Sequence, residues 1–356
     1  MQIQIRQRWL GYLLGCMVLL GGNAQAEDKT GKFYGAVETE YPAWFKTSFL
    51  DLRDDLADAN KAGHRLVVLF VQNGCPYCHA LIERNMAQKD IEQIMRKHFD
   101  VVLINMWGDR EVTGLDGKQY MEKNFAAALK VQFTPTLLFF NEKGKVILRL
   151  NGYLPPHRFK SAIEYVANHQ ENKISYRDYM AAHAVHGKGG KMRSEPFFAK
   201  PPYDLRKLKG TKPIALFFEQ NDCPNCNTLH DKVLSDPGTR KVISHFENIQ
   251  LNMWSKTPII TMDGKQTTAR ALARQLNIKY APTIVLMDPQ GKEIIRSEAF
   301  FKVFHTQGIF AYVLDGGYKT QPSFQRWLQT RADHLREQGK NVDIWRTADE
   351  APAPKH

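Results

Sequence analysis

Cysteine is scarce in this chain, with five among 356 residues. That excludes a small disulfide-framed scaffold and makes every remaining thiol informative. A run of about 20 apolar residues is also missing, which argues against a membrane span. No Gly-x-Gly-x-x-Gly fingerprint occurs, so no dinucleotide cofactor is expected. Basic residues outnumber acidic ones, 49 to 37, yet they form no blocks. The excess therefore reads as a solvated basic surface, and nucleic acid is not expected as a partner.

What is present begins with a separable leader. Arg6 and Arg8 precede an apolar stretch from Trp9 to Leu20, and Ala24-Gln25-Ala26 closes it with small residues. This is the layout of a secretory signal peptide over residues 1–26, without a twin-arginine pair. An exported protein of the periplasm is expected. Leu13-Leu14-Gly15-Cys16 also spells a lipoprotein box, but the apolar run continues past Cys16 to Leu20. Removing the leader lowers the net charge of +12 by two and leaves Cys75, Cys78, Cys223 and Cys226. These form two Cys-x-x-Cys pairs with no odd thiol.

The two pairs belong to a repeat. Asn105-Met106-Trp107 recurs as Asn252-Met253-Trp254, Asp116-Gly117-Lys118-Gln119 as Asp263-Gly264-Lys265-Gln266, and Pro135-Thr136 as Pro282-Thr283, all at an offset of 147. Gly144-Lys145 recurs as Gly291-Lys292 at the same offset, and the cysteines recur at 148. A period this long means duplicated domains, because solenoid repeats run at about 20 to 50 residues.

Within each repeat, strands alternate with helices. Leu66 to Val71 and Ile214 to Phe218 are apolar runs of strand length, each followed by a Cys pair and a helical stretch. In the first repeat Ile91, Ile94, Met95 and His98 share a helical face behind an expected N-cap at Asp90, and Val101 to Ile104 forms the next strand. Asp116-Gly117 and Asp263-Gly264 are hairpin-turn signals. Thr136 to Phe140 and Val146 to Leu150 flank a turn at Asn141 to Gly144, and a helix from about Pro156 closes the unit. This order predicts an α/β fold, with a mixed central sheet and helices on both faces, built twice. The expected division is a first domain at 27–182, a linker at 183–200 that includes the glycine-rich stretch from His186 to Lys191, a second domain at 201–345 and a disordered tail at 346–356. Trp107, Trp254, Tyr165 and Tyr312 recur as well, and recurring aromatics read as core.

The cysteines sit where a buried strand hands over to a helix. At a helix N-terminus the unpaired N–H groups and the positive end of the dipole favour a thiolate. Pro76 and Pro224 suit the first helical position, where a missing N–H costs nothing. Two intervening residues bring the second sulfur back within disulfide reach. Cys75 and Cys223 are thus candidate attacking thiols, and Cys78 and Cys226 candidate resolving ones.

This element order, the Cys-Pro-x-Cys at a strand-to-helix turn, and the later Thr134-Pro135 and Ala281-Pro282 resemble the thioredoxin family. The long insert with Asn-Met-Trp and Asp-Gly-Lys-Gln is similar to the periplasmic SoxW type. The resemblance covers nearly all of the chain after the leader, twice. It implies tandem thioredoxin-like domains, redox disulfides Cys75–Cys78 and Cys223–Cys226, and cis peptides before Pro135 and Pro282. It also implies that Thr134, Pro135, Ala281 and Pro282 contact an extended substrate peptide. A protein thiol–disulfide oxidoreductase follows, most simply a reductase of disulfide-bonded proteins, with a membrane thiol-electron transporter as donor. Departures are plain. Gly74 and Asp222 stand where the family has Trp, and Leu69 and Phe217 where it has a buried Asp, so another group such as Glu219 would have to accept the proton. Asp222 places negative charge beside Cys223, which should make it the weaker nucleophile.

Other readings use the same residues. Cys75-Pro76-Tyr77-Cys78-His79 also spells the attachment signature of c-type haem, although the repeat puts Asn227 where His79 stands. Two Cys-x-x-Cys pairs could make a four-cysteine zinc site if the two turns met face to face. Structural staples are disfavoured because so short a loop stabilises little. A disulfide isomerase or a redox chaperone remains an alternative to a reductase.

Overall fold

The computed structural model describes residues 30–183, 191–208, 210 and 212–350. The expected leader, the box at Cys16, the stretch at 186–190 and the tail from 351 lie outside the described residues.

The first half opens with β1 (Phe33–Tyr34), α1 (Leu52–Ala62) and β2 (Arg65–Val71). Next come α2 (Pro76–Ala80), continued by a π-helical turn at Leu81–Met86, then α3 (Lys89–His98) and β3 (Phe99–Asn105). A hairpin of β4 (Glu111–Thr113) and β5 (Gln119–Met121) leads to α4 (Glu122–Ala128). The half ends with β6 (Thr136–Phe140), β7 (Val146–Asn151), α5 (Pro156–Ala167) and α6 (Tyr176–His183). Its sheet runs β3-β2-β6-β7, with β2 and β3 parallel and the other neighbours antiparallel.

β2 shows why a continuous apolar run forms a central strand. All seven of its residues are buried. Val67, Leu69 and Val71 face one apolar cluster, and Leu66, Val68 and Phe70 face another, as the two-residue period of a strand requires. Each such side chain stabilises the fold by roughly 1.5–3 kcal/mol.

The second half repeats this plan with β8 (Tyr203–Asp204), β9 (Ile214–Glu219), α7 (Pro224–Leu229) and α8 (Pro237–Ile243). It continues with β10 (Glu247–Asn252), β11 (Pro258–Ile260), β12 (Gln266–Thr268) and α9 (Ala269–Gln275). Then follow β13 (Thr283–Met287), β14 (Glu293–Ser297), α10 (Val303–Leu314), α11 (Gly317–Thr320), α12 (Phe324–Glu337) and β15 (Val342–Asp343). The sheet order β10-β9-β13-β14 matches that of the first half.

Several contacts depart from the reading of the sequence. Gln88, not Asp90, occupies the cap position of α3, without a side-chain cap bond; Asp90 lies in the first helical turn, where an acidic side chain suits the helix dipole, and accepts from Lys160 at 2.8 Å. The described part of the expected linker packs on the second half: Phe198 is buried against Phe217 with ring centroids 5.0 Å apart. Contacts also continue past residue 345, where Arg346 pairs with Asp236 at 2.8 Å and Thr347 is buried. β1 pairs in parallel with β15, Phe33 opposite Val342, which ties the two ends of the described chain together.

The halves are not separate beads. One apolar cluster takes in Val67, Leu69 and Phe139 of the first half together with Phe217, Phe310 and Phe324 of the second. Among the described residues no helix is long and apolar enough to cross a membrane.

Candidate active site

The strand-to-helix turn builds both cysteine centres in the same way. Cys75 caps α2 with extended backbone, φ −82° and ψ 104°, and Pro76 follows in the first helical turn. The backbone N–H of Cys78 donates to Cys75 Sγ at 3.0 Å, so an unpaired helix donor points at that sulfur. Cys223, Pro224 and Cys226 repeat the arrangement, again at 3.0 Å. Each pair is disulfide-bonded, with Cα atoms 5.3 Å and 5.1 Å apart. Gly74 and Asp222 both adopt positive φ, 68° and 50°. Glycine meets that left-handed demand freely in the first half, while the second places an Asp there.

Each half carries a cis proline, at Thr134-Pro135 and Ala281-Pro282. The repeated threonine after it has a local job. Thr136 Oγ1 donates to the Phe133 carbonyl, and Thr283 Oγ1 to that of Tyr280, both at 2.7 Å. Of the four expected residues at the prolines, Thr134 touches a sulfur, and Ala281 shares an apolar cluster with Cys223 and Cys226. Thr134 Oγ1 is 3.3 Å from Cys75 Sγ, a contact that Ala281 cannot make to Cys223.

The halves differ in the polar groups buried near these positions. Leu69 and Phe217 are fully buried apolar residues, so no acid lies at those positions. Glu219 is fully buried, as is His230, whose Nε2 lies 3.2 Å from both Glu219 oxygens. Gln250 donates to Glu219 at 3.1 Å, and Glu195 holds His230 Nδ1 at 2.9 Å. Burial alone would lower the His230 pKa, but hydrogen bonds and charge from Glu219 and Glu195 outweigh it and raise the value. His230 follows Cys226 by one helical turn, and its counterpart in the first half is the apolar Ile82. Sequence reasoning singled out Glu219 but not His230.

The alternative uses of the cysteines fare less well. With Cys75 bonded to Cys78, neither sulfur is free for a thioether to haem, and His79 is half-buried within the helix. The four cysteines form two separate disulfides and converge on no common metal group among the described residues.

Trp107 and Trp254 are not core residues as expected; both are half-buried. Trp107 Nε1 donates to Gln72 at 2.8 Å and Trp254 Nε1 to Gln220 at 3.0 Å. Each Trp lines a cleft that also takes in residues just before the first cysteine of its half. The first, about 590 Å³, includes Asn73, Gly74, Gln325 and Arg326, and the second, about 380 Å³, includes Asn221, Asn252 and Arg270. The available signal was the repeat of Gln72-Asn73 as Gln220-Asn221. Tyr165 and Tyr312 are core, as expected, each 2% exposed.

A mixed sheet flanked by helices, a Cys-Pro-x-Cys disulfide at the start of a helix and a cis proline together define the class of dithiol–disulfide proteins. The chain belongs to the thioredoxin-like domain family, whose model matches it twice, at 52–167 and 204–306. Solved structures similar to it include a thioredoxin-fold protein from Helicobacter pylori, with 21% identity, TM-score 0.30, and coverage of 34% of this chain and 80% of that one. A disulphide isomerase from Xylella fastidiosa Temecula1 shows 19% identity and TM-score 0.25 over 38% of this chain and 95% of the other. The first two thioredoxin domains of Saccharomyces cerevisiae Eps1p show 10% identity and TM-score 0.24 over 72% and 93%. No curated protein matches the chain.

Proposed function

We propose that the protein is an exported, periplasmic disulfide reductase whose two Cys-Pro-x-Cys centres reduce cystines of other proteins. The coarser class, a thiol–disulfide oxidoreductase, rests on the family and the two disulfides. The observation that carries the reading is the helix N–H aimed at Cys75 and Cys223, which supports a thiolate at those sulfurs. The Cys75 thiolate attacks one sulfur of a substrate cystine, forming a mixed disulfide and releasing the other sulfur as a thiolate. Cys78, deprotonated, then attacks Cys75 Sγ, restores the Cys75–Cys78 bond and releases the second substrate thiolate. Two electrons pass from the protein dithiol to the substrate. A dithiol donor, in this reading a membrane thiol-electron transporter, reverses the oxidation. Cys223 and Cys226 act in the same order. Thr134, Pro135, Ala281 and Pro282 form the edge that aligns the substrate chain.

An insulin reduction assay with dithiothreitol as donor tests this. Replacing Cys75 and Cys223 together by Ser should abolish the rate above background, while each single change leaves part of it. Full activity in the double variant would sink the proposal. Reduction potentials of the isolated centres well below the compartment's poise support a reductase; clearly more oxidising values favour an isomerase or disulfide donor.

A further inference from the structure

The halves meet through equivalent positions. Asn151 Nδ2 donates to Glu298, its counterpart at the 147-residue offset, at 2.7 Å. Gly152 faces Ala299 so closely that an added Cβ would lie 2.8 Å from the alanine Cβ. The Arg177 guanidinium of α6 lies 4.6 Å over Trp254, and that of Arg326 in α12 lies 4.6 Å over Trp107. Each half therefore reaches over the other's cleft, in the self-complementary way of a two-fold contact.

The surface used for this contact is the one that carries the chemistry. Tyr77, inside the first Cys-Pro-Tyr-Cys, packs edge-on against Phe301, His305 and Trp345, at 5.4, 5.0 and 5.0 Å between ring centroids. Its hydroxyl accepts the Lys302 N–H at 2.9 Å. Phe133, next to Thr134, stacks on Phe301 at 5.0 Å. In the second half the Ala281 carbonyl, beside the cis proline, already accepts a hydrogen bond from Arg158 of α5 at 2.7 Å. Arg158 and His305 are themselves equivalent at the offset of 147. The four disulfide cysteines are each 1–3% exposed. A disulfide exchange needs three sulfurs in line, so an incoming cystine has to reach sulfurs of residues that are at most 3% exposed, next to the residues on which the other half packs.

We infer that each half is the gate of the other's centre, with Phe301 and His305 selecting at Cys75 and Arg158 at Cys223. This rests on the oxidoreductase reading above. Small disulfides and dithiols enter the closed form, and protein cystines react only after the halves part. The gates are unequal. Pro76 and Tyr77 are buried, Tyr77 against the rings of Phe301, His305 and Trp345, whereas Pro224 is exposed and the second half's contacts are the arginines at the Ala281 carbonyl and over Trp254.

The full chain, reduced with dithiothreitol and desalted, tests this in two backgrounds that each keep one cysteine pair. Rates of N-ethylmaleimide and of a maleimide carrying a long polyethylene glycol chain are compared at Cys75 and at Cys223. The small-to-large rate ratio at Cys75 should exceed that of the urea-unfolded chain by about 100-fold, as for a group reached only through opening. Phe301→Ala should collapse that ratio, and Arg158→Ala, at a half-buried helix position, should lower the ratio at Cys223. Circular dichroism identifies a Phe301→Ala chain that has unfolded, in which case Arg158→Ala decides. Ratios equal to the unfolded chain's, or unmoved by the gate variants, overturn the inference. Dithiothreitol failing to reduce either centre would overturn the oxidoreductase reading and the gate with it.

Discussion

At the scale of single residues the two centres differ in what touches their first sulfur. The Thr134 hydroxyl stands 3.3 Å from Cys75 Sγ and can donate to a thiolate, while Ala281 has no such group. Asp222 adds negative charge next to Cys223, and Gly74 adds none. Both differences favour Cys75 toward a small alkylating reagent at neutral pH. Thr134→Ala should slow iodoacetamide at Cys75 by about tenfold, the equivalent of one charge-assisted hydrogen bond of roughly 1.4 kcal/mol. Asp222→Asn should speed Cys223. Equal rates at the two cysteines in the parent chain would count against this account. The charge of Asp222 was legible in the sequence because it is adjacent to its cysteine. The Thr134 contact was legible only through the resemblance, since 59 residues separate the partners.

At the scale of elements the repeat supplies its own control for the buried Glu219–His230 pair. The same two positions in the first half are Val71 and Ile82, both buried and apolar. Breaking a buried ion pair by removing one partner costs about 3–5 kcal/mol, whereas replacing both by apolar groups is often neutral. Glu219→Val alone should therefore destabilise strongly, and adding His230→Ile should recover most of the loss in urea unfolding. Glu195 keeps Arg193 and Arg240, and Gln250 keeps the Arg193 carbonyl, so the double variant strands neither. A double variant no more stable than the single one would contradict this. Strands and hairpins of the repeat were readable because two copies confirmed each other. α1 was missed although Asp51, Leu52, Ala59 and Gly63 carry the cap, apolar spacing and C-terminal glycine of a helix. Its counterpart region, with Pro201 and Pro202, holds β8 and a short 3-10 turn at Leu205–Leu208 in place of an α-helix, so the comparison gave it no second vote.

At the scale of the whole molecule the contact between halves was invisible to pattern reading, because each residue in it also satisfies the rules for a lone domain. Phe301, Phe324 and Tyr77 look like ordinary core residues; only the fold shows that they pack across the two units. His305 gives this contact a pH dependence. Burial brings its pKa down to about 4, against a smaller opposing effect of its backbone bond with Ile344. The folded state keeps the ring neutral where the unfolded chain, titrating near 6.5, already binds a proton. Its contribution is full above pH 6.5 and declines as pH falls from about 6.5 to about 4, by at most about 3 kcal/mol. His305→Phe should flatten the dependence of the urea midpoint over that window. A midpoint that falls equally in both chains would place the effect elsewhere.

The meeting of Asn151 with Glu298 has a consequence for how the protein behaves on dilution. A contact of this kind between separate copies would dissociate as concentration fell. Joined in one polypeptide, the partners stay at a fixed effective concentration of order millimolar or higher. Exposure of the reactive sulfurs is then a unimolecular event, set at the same level however few molecules a compartment holds.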